Sequence, residues 1–336
     1  MALVGAATLA LGCGGGDGAT DDPDNGDNDD GTTPDSPLVD PDCVDGQFSE
    51  VLPDLDADIS GIVAGFDAGD PEGFVSALLA ARYPFAAPLV EDGYDSPNGN
   101  CLRAFGYDLS SAAAIIGNMS TIVHECGHFA DGDASGFGAN TYYVNSDLTL
   151  ELAQGDATDR GGLTFARSRI KGDDYQPSQP ACTGFGQQDC DVYAYIYLDG
   201  DPDDGTFDGG DQGFNMLFEE TVQYVNSLAS SWAFVDQIQP GSSSSQRDGI
   251  LNFLWFVERY LRMARLEYPD AYAHLLEGDD GKWRRAILQV WGRAWLYLGE
   301  TEGVPGLGID DEFLTELVSE PELVEEIQRL RDAEGC

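Results

Sequence analysis

The segment Ser120-Thr121-Ile122-Val123-His124-Glu125-Cys126-Gly127-His128-Phe129-Ala130-Asp131 sets two histidines four positions apart with a glutamate beside the first. On an α-helix that spacing stacks the imidazoles about one turn apart on one face, which suits two ligands of a single zinc ion. Glu125 follows His124 by about 100° around the helix, within reach of a water beside such an ion as a general base. Ile115, Met119, Ile122, Cys126 and Phe129 recur at helical spacing on the opposite side. The pattern predicts one long helix, capped by Ser110 and running to about Asp131. Its apolar stripe enters the core, while His124 and His128 face a different environment beside Gly117 and Thr121. The chain holds only 3 histidines, so a chance H-E-x-x-H match is rare. Cys126 falls on the stripe, as a packed thiol or a disulfide partner rather than a nucleophile.

A zinc ion needs a third protein ligand. The metzincin extension requires Gly and then His or Asp at positions that here hold Asp131 and Ala134, which excludes that family. Asp131 shares the histidine face but lies two turns from His124, too far along a straight helix to share the ion. The later segment Met216-Leu217-Phe218-Glu219-Glu220-Thr221-Val222-Gln223-Tyr224 offers two carboxylates. Both Glu219 and Glu220 lie off the apolar stripe of Leu217, Thr221, Tyr224 and Leu228, so periodicity leaves both open.

With the H-E-x-x-H helix, this segment resembles the glutamate-zincin group of metallopeptidases, whose later helix carries an apolar pair and then N-E-G-x-A-x-Y. The resemblance covers the two motif helices. It implies Glu219, five residues before Tyr224, as third zinc ligand, with Phe218 in place of the Asn and Glu220 in place of the Gly. It also implies an α+β, zincin-like fold in which a small antiparallel sheet lies beside the H-E-x-x-H helix. One strand there, from Thr141 to Leu152 or Asp191 to Leu198, would bind the substrate backbone by strand addition. The implied activity is zinc-dependent hydrolysis of peptide bonds, with His124, His128 and Glu219 on Zn²⁺ and Glu125 as general base. His274 is a candidate oxyanion stabiliser, in competition with Tyr224, Tyr260 and Tyr272.

The 336 residues carry 61 acidic against 16 basic side chains, a formal net charge of -45. That surface repels phosphate backbones and anionic headgroups, which disfavours nucleic-acid binding and electrostatic membrane docking. The apolar run Ala2 to Leu11 ends in Ala10-Leu11-Gly12-Cys13, which resembles a bacterial lipobox and implies export with a lipid anchor on Cys13. Residues 14–42 are mostly Gly, Asp, Asn, Thr and Pro and read as a disordered acidic linker, with the folded domain spanning 43–336. Setting Cys13 aside, Cys43, Cys101, Cys126, Cys182, Cys190 and Cys336 form an even set, as expected of disulfides in an exported chain. Cys182 and Cys190 flank a short loop and read as one pair; the other four allow three pairings. The stretch from Asp199 to Asp211 offers oxygen ligands to Ca²⁺ but lacks the EF-hand pattern, and a solvated acidic loop is the alternative.

Helical signals dominate. Asp70-Pro71-Glu72 starts one helix. Helices are expected over Phe214 to Asp236, Gln246 to Tyr268, Lys282 to Leu298 and Pro321 to Asp332, and strands over Thr141 to Leu152, Gly162 to Ile170 and Asp191 to Leu198. The function class that competes with a peptidase is a non-catalytic acidic surface lipoprotein with a structural zinc or calcium site. Glu125 favours the peptidase, because a structural metal site has no use for a base there.

Overall fold

A computed structural model describes residues 31–32, 38–155, 162–175, 192–198, 211–238 and 244–336. Cys13, Cys182, Cys190 and all but the last residue of the Asp199 to Asp211 stretch lie outside the described residues. The chain begins with β1 (Gly31–Thr32) and β2 (Ser49–Glu50), then α1 (Ser60–Ala64), α2 (Pro71–Arg82), α3 (Ala86–Tyr94), α4 (Cys101–Phe105), α5 (Ala112–Gly117) and α6 (Met119–Ala134). The hairpin β3 (Ala139–Asn145) and β4 (Leu148–Ala153) follows, and then the short α7 (Val192–Tyr197). The C-terminal part is α8 (Phe214–Ala233), α9 (Gln246–Glu267), α10 (Pro269–Glu300), α11 (Asp311–Val318) and α12 (Pro321–Glu334). The result is a helix-dominated fold with a small antiparallel sheet packed beside α6.

Local signals place most of these elements. Asp70 caps α2 by accepting from the Gly73 N–H at 3.1 Å, and Pro71 occupies the first turn, where its missing N–H costs nothing. The expected long helix is two. Ser111, not Ser110, caps α5 by accepting from the Ala114 N–H, and the chain breaks at Asn118 before α6 begins. Asn118, with φ of -110° and ψ of 9°, stands between the two helices and donates its side-chain amide to the Phe105 carbonyl at 3.2 Å. α10 is longer than expected, but it is kinked at Gly278 to Gly281. Asp279 and Asp280 take φ of 52° and 56° there, so its second part starts near Lys282.

Two expected strands are corrected. Asp191 to Leu198 contains α7, which puts Tyr193 and Tyr197 on one face, their rings 6.1 Å apart, beside Tyr224 and Phe253. Alternating aromatics read as a strand in isolation; packing against α8 and α9 decides for the helix. Gly162 to Ile170 ends in a 3₁₀ turn over Arg167–Gly172. The core also starts earlier than Cys43. Leu38 and Val39 are buried, and the Leu38 carbonyl accepts from Trp291 Nε1 (2.7 Å) and Arg331 Nη2 (2.8 Å).

Packing runs in layers. α3 and α4 lie against α6, α6 against α8, α8 against α9, and α9 against α11 and α12. Disulfides fasten two of these layers: Cys101–Cys126 joins α4 to the face of α6 away from α8, and Cys43–Cys336 joins the two ends of the core. Such bonds point to an oxidising or extracellular location. Among the described residues no helix is long and apolar enough to cross a membrane.

Candidate metal centre

α6 brings His124, Glu125 and His128 to the layer boundary, and α8 brings Glu219, Glu220, Gln223 and Ser227. The helices meet closely because position 127 is glycine. A Cβ there would sit 1.9 Å from Gln223 Oε1. Gln223 cannot easily withdraw, since its Oε1 accepts from Asn226 (3.0 Å) and its Nε2 donates to Asp131 Oδ2 (2.8 Å). Asn226 in turn accepts from Arg293 Nη1 at 2.8 Å, so the contact is braced from α10.

The hydrogen bonds behind the histidines determine which nitrogen of each ring carries the proton. Ser227 spends its hydroxyl proton on the Gln223 carbonyl (3.0 Å), so its oxygen accepts from His124 Nδ1–H at 3.0 Å. Glu219 Oε1 lies 2.9 Å from His128 Nδ1 and, as a carboxylate, can only accept. Both neutral rings therefore turn a bare Nε2 forward. These two atoms are 3.1 Å apart, and each lies 3.4 Å from Glu220 Oε2. Glu220 is fully buried, and neither of its oxygens has a hydrogen-bond partner among the described residues.

Three bare acceptors converging in a buried space repel one another unless a cation joins them. Ligand bonds of about 2.0–2.1 Å in a tetrahedron give ligand–ligand edges of about 3.3–3.4 Å. The observed separations match that size, and the His124, His128, Glu220 group can hold a metal ion.

No family model, curated protein or solved structure matches this chain.

The structure brings Glu220, and not the expected Glu219, to the two histidines. The Glu219 carboxylate stands behind His128 on Nδ1, on the side of the ring away from the cluster, and Glu220 is the carboxylate grouped with the two Nε2 atoms. Neighbouring residues on a helix differ by about 100° in direction. Motif spacing along α8 does not say which one the crossing angle turns toward Nε2.

Electrostatics reflect this crowding. Burial alone raises the Glu220 carboxyl, but the attraction of His128 and His124 outweighs it and holds the group well below the usual carboxylate range. Burial lowers His128, yet Glu220 and Glu219 outweigh that and raise it well above an ordinary imidazole. Asp131 is raised well above its usual range by burial and by the Glu219 charge. It accepts from the Tyr143 N–H (2.8 Å) and from Gln223, and is an outer support of the site as distinct from a ligand.

Glu125 is buried, and its charge reaches Tyr197 along with that of Glu220. Tyr224 packs its ring 4.8 Å from that of His124 and shares a 2.8 Å hydrogen bond with the Tyr197 hydroxyl. The other oxyanion candidates are not brought here. His274 packs against Trp283 with a bond to the Ala153 carbonyl. Tyr260 brackets the backbone of Phe165, taking its N–H at 2.6 Å. Tyr272 is half-buried near Glu326 and Arg265. The strand expected to receive substrate is also closed on one side: Thr141 N–H goes to Ser135 Oγ (2.9 Å) and Tyr143 N–H to Asp131, so the end of α6 caps that edge of β3.

Sequence reasoning missed Ser227, Gln223 and Tyr197. Ser227 had a readable signal, being four residues beyond Gln223 and seven beyond Glu220 on one face of α8. Gln223 and Tyr197 had none, because their roles depend on how α7 and α8 cross α6.

Proposed function

We propose that the protein is an exported, zinc-dependent metallopeptidase of the glutamate-zincin kind, with His124, His128 and Glu220 as metal ligands and Glu125 as general base. The observation that carries this is the convergence of three bare acceptor atoms next to Glu125. Three protein ligands leave one position of a tetrahedral ion for water or substrate, which is the catalytic pattern. Zinc bound there supplies a Lewis acid for the scissile carbonyl and makes water more acidic. Glu125 accepts the proton of the water that attacks the carbonyl carbon, then delivers a proton to the leaving amine as the C–N bond breaks. Glu219 and Ser227 hold the two imidazoles in the ligating tautomer throughout.

Burial of His124 and Glu220, with His128 only partly exposed, favours a second reading, a structural metal site without hydrolysis, since closed sites are the structural type. Glu125→Gln separates the two. The peptidase predicts a variant that keeps one zinc per chain while hydrolysis of a peptide library falls by about 10² to 10⁴. Zinc content and hydrolysis measured on one preparation decide it. A wild-type protein that binds zinc but cleaves nothing, or a variant with undiminished cleavage, rejects the peptidase.

A further inference from the structure

Arg167 is fully buried, yet neither Nη1 nor Nη2 has a hydrogen-bond partner among the described residues. A guanidinium stays charged in a protein, so leaving four of its five N–H donors unmet in the interior is costly. The chain nevertheless fixes it there. Phe165 is stacked between Tyr260 and Tyr268 at 4.0 and 4.1 Å, and the Tyr260 hydroxyl clamps its backbone. Arg167 N–H donates to the Gln212 carbonyl at 2.8 Å, and Arg259 holds the far end of the 3₁₀ turn through the Ile170 carbonyl and Asp173. Arg167 Nε donates to the Tyr197 carbonyl at 2.7 Å, and its guanidinium lies 5.5 Å from the Tyr197 ring.

That position adjoins the metal centre. From Arg167 the contacts run through Tyr197 to Tyr224 and then to His124. Burial pushes the guanidinium pKa down, while the charge of Glu220 pulls it back up, so the ligand carboxylate is close enough to be felt. A rigid, desolvated fork with neither Nη group hydrogen-bonded among the described residues matches the two oxygens of a carboxylate. A dianion would be worse placed, because Glu220 and Asp211 already put negative charge near the guanidinium.

We propose that Arg167 anchors the free C-terminal carboxylate of the substrate, so that the protein removes residues from the carboxyl end of peptides. This rests on the peptidase reading above. The Tyr197–Tyr224 pair then separates the anchored end from the bond cleaved near His124.

The test compares an N-acetylated tripeptide bearing a free carboxylate with its C-terminal amide. Binding is measured by calorimetry on zinc-loaded Glu125→Gln, and cleavage on the zinc-loaded wild type. The acid should bind about tenfold or more tightly than the amide, as expected for a charge-assisted bidentate contact. Arg167→Gln in the same background should erase the preference, and Arg167→Lys should keep part of it. The acid–amide comparison needs no Arg167 variant, so it stands even if Arg167→Gln fails to fold. Equal binding of acid and amide overturns the anchor, as does a preference that survives Arg167→Gln in a folded protein. Displacement of the acid by inorganic phosphate at lower concentration than by acetate also overturns it. Equal cleavage of both peptides sinks the anchor and leaves the peptidase standing. Preferential binding of the acid with no cleavage of either peptide supports the anchor and rejects the peptidase.

Discussion

Leucine at position 220 and leucine at position 219 should weaken zinc binding by clearly different amounts. Glu220 Oε2 sits 3.4 Å from both Nε2 atoms, so Glu220→Leu removes a direct ligand. Zinc sites with four protein ligands bind with about 10–16 kcal/mol, or roughly 2.5–4 kcal/mol per ligand. At about 1.4 kcal/mol per decade, losing one costs about 10² to 10³ in affinity. Glu219 reaches the cluster through His128 Nδ1, and removing such an outer partner costs about 10- to 100-fold. Glu219→Gln should cost less than about tenfold, because the amide oxygen still accepts the imidazole proton. The assay is competition against a chromophoric zinc chelator at neutral pH, with circular dichroism as a check on folding. If Glu219→Leu loses more affinity than Glu220→Leu, the ligand assignment is wrong. Losses of equal size would mean that the metal uses both carboxylates.

Two further substitutions probe how the core supports the site. Gly127→Ala places a methyl 1.9 Å from Gln223 Oε1, which Asn226 and Asp131 hold in place, so it should destabilise the fold by about 1–3 kcal/mol and weaken zinc binding. Denaturant midpoints and zinc titration measure both, and no change in either would refute the close approach. Glu258 is fully buried with neither oxygen hydrogen-bonded among the described residues. Burial and then the Glu326 charge raise it well above its usual value near 4.5, against a smaller opposing pull from Arg331. A raised carboxyl contributes stability below its unfolded pKa and loses it as the pH climbs toward the folded one. Glu258→Leu should therefore be more stable than the wild type by about 1–3 kcal/mol at neutral pH, with the gain fading in acid. A gain that is the same at both pH values would refute the buried-carboxyl account.

Residue types and spacing were enough to determine the H-E-x-x-H face, the side of α6 that carries Cys126, and the main C-terminal helices. Each depends on periodicity or capping within one segment, as with Asp70 at α2. The Cys101–Cys126 and Cys43–Cys336 pairings were not legible, because four cysteines at wide separations carry no record of which backbones meet. The same holds for Asp191 to Leu198, where alternating aromatics fit either a strand or a helix until α8 and α9 supply the surface they pack on. The choice between Glu219 and Glu220 belonged wholly to the tertiary structure. Both are carboxylates off the same apolar stripe, and about 100° of helix rotation separates them. Only the approach of α8 to α6, permitted by the missing side chain at Gly127, turned Glu220 toward the two Nε2 atoms and left Glu219 behind His128.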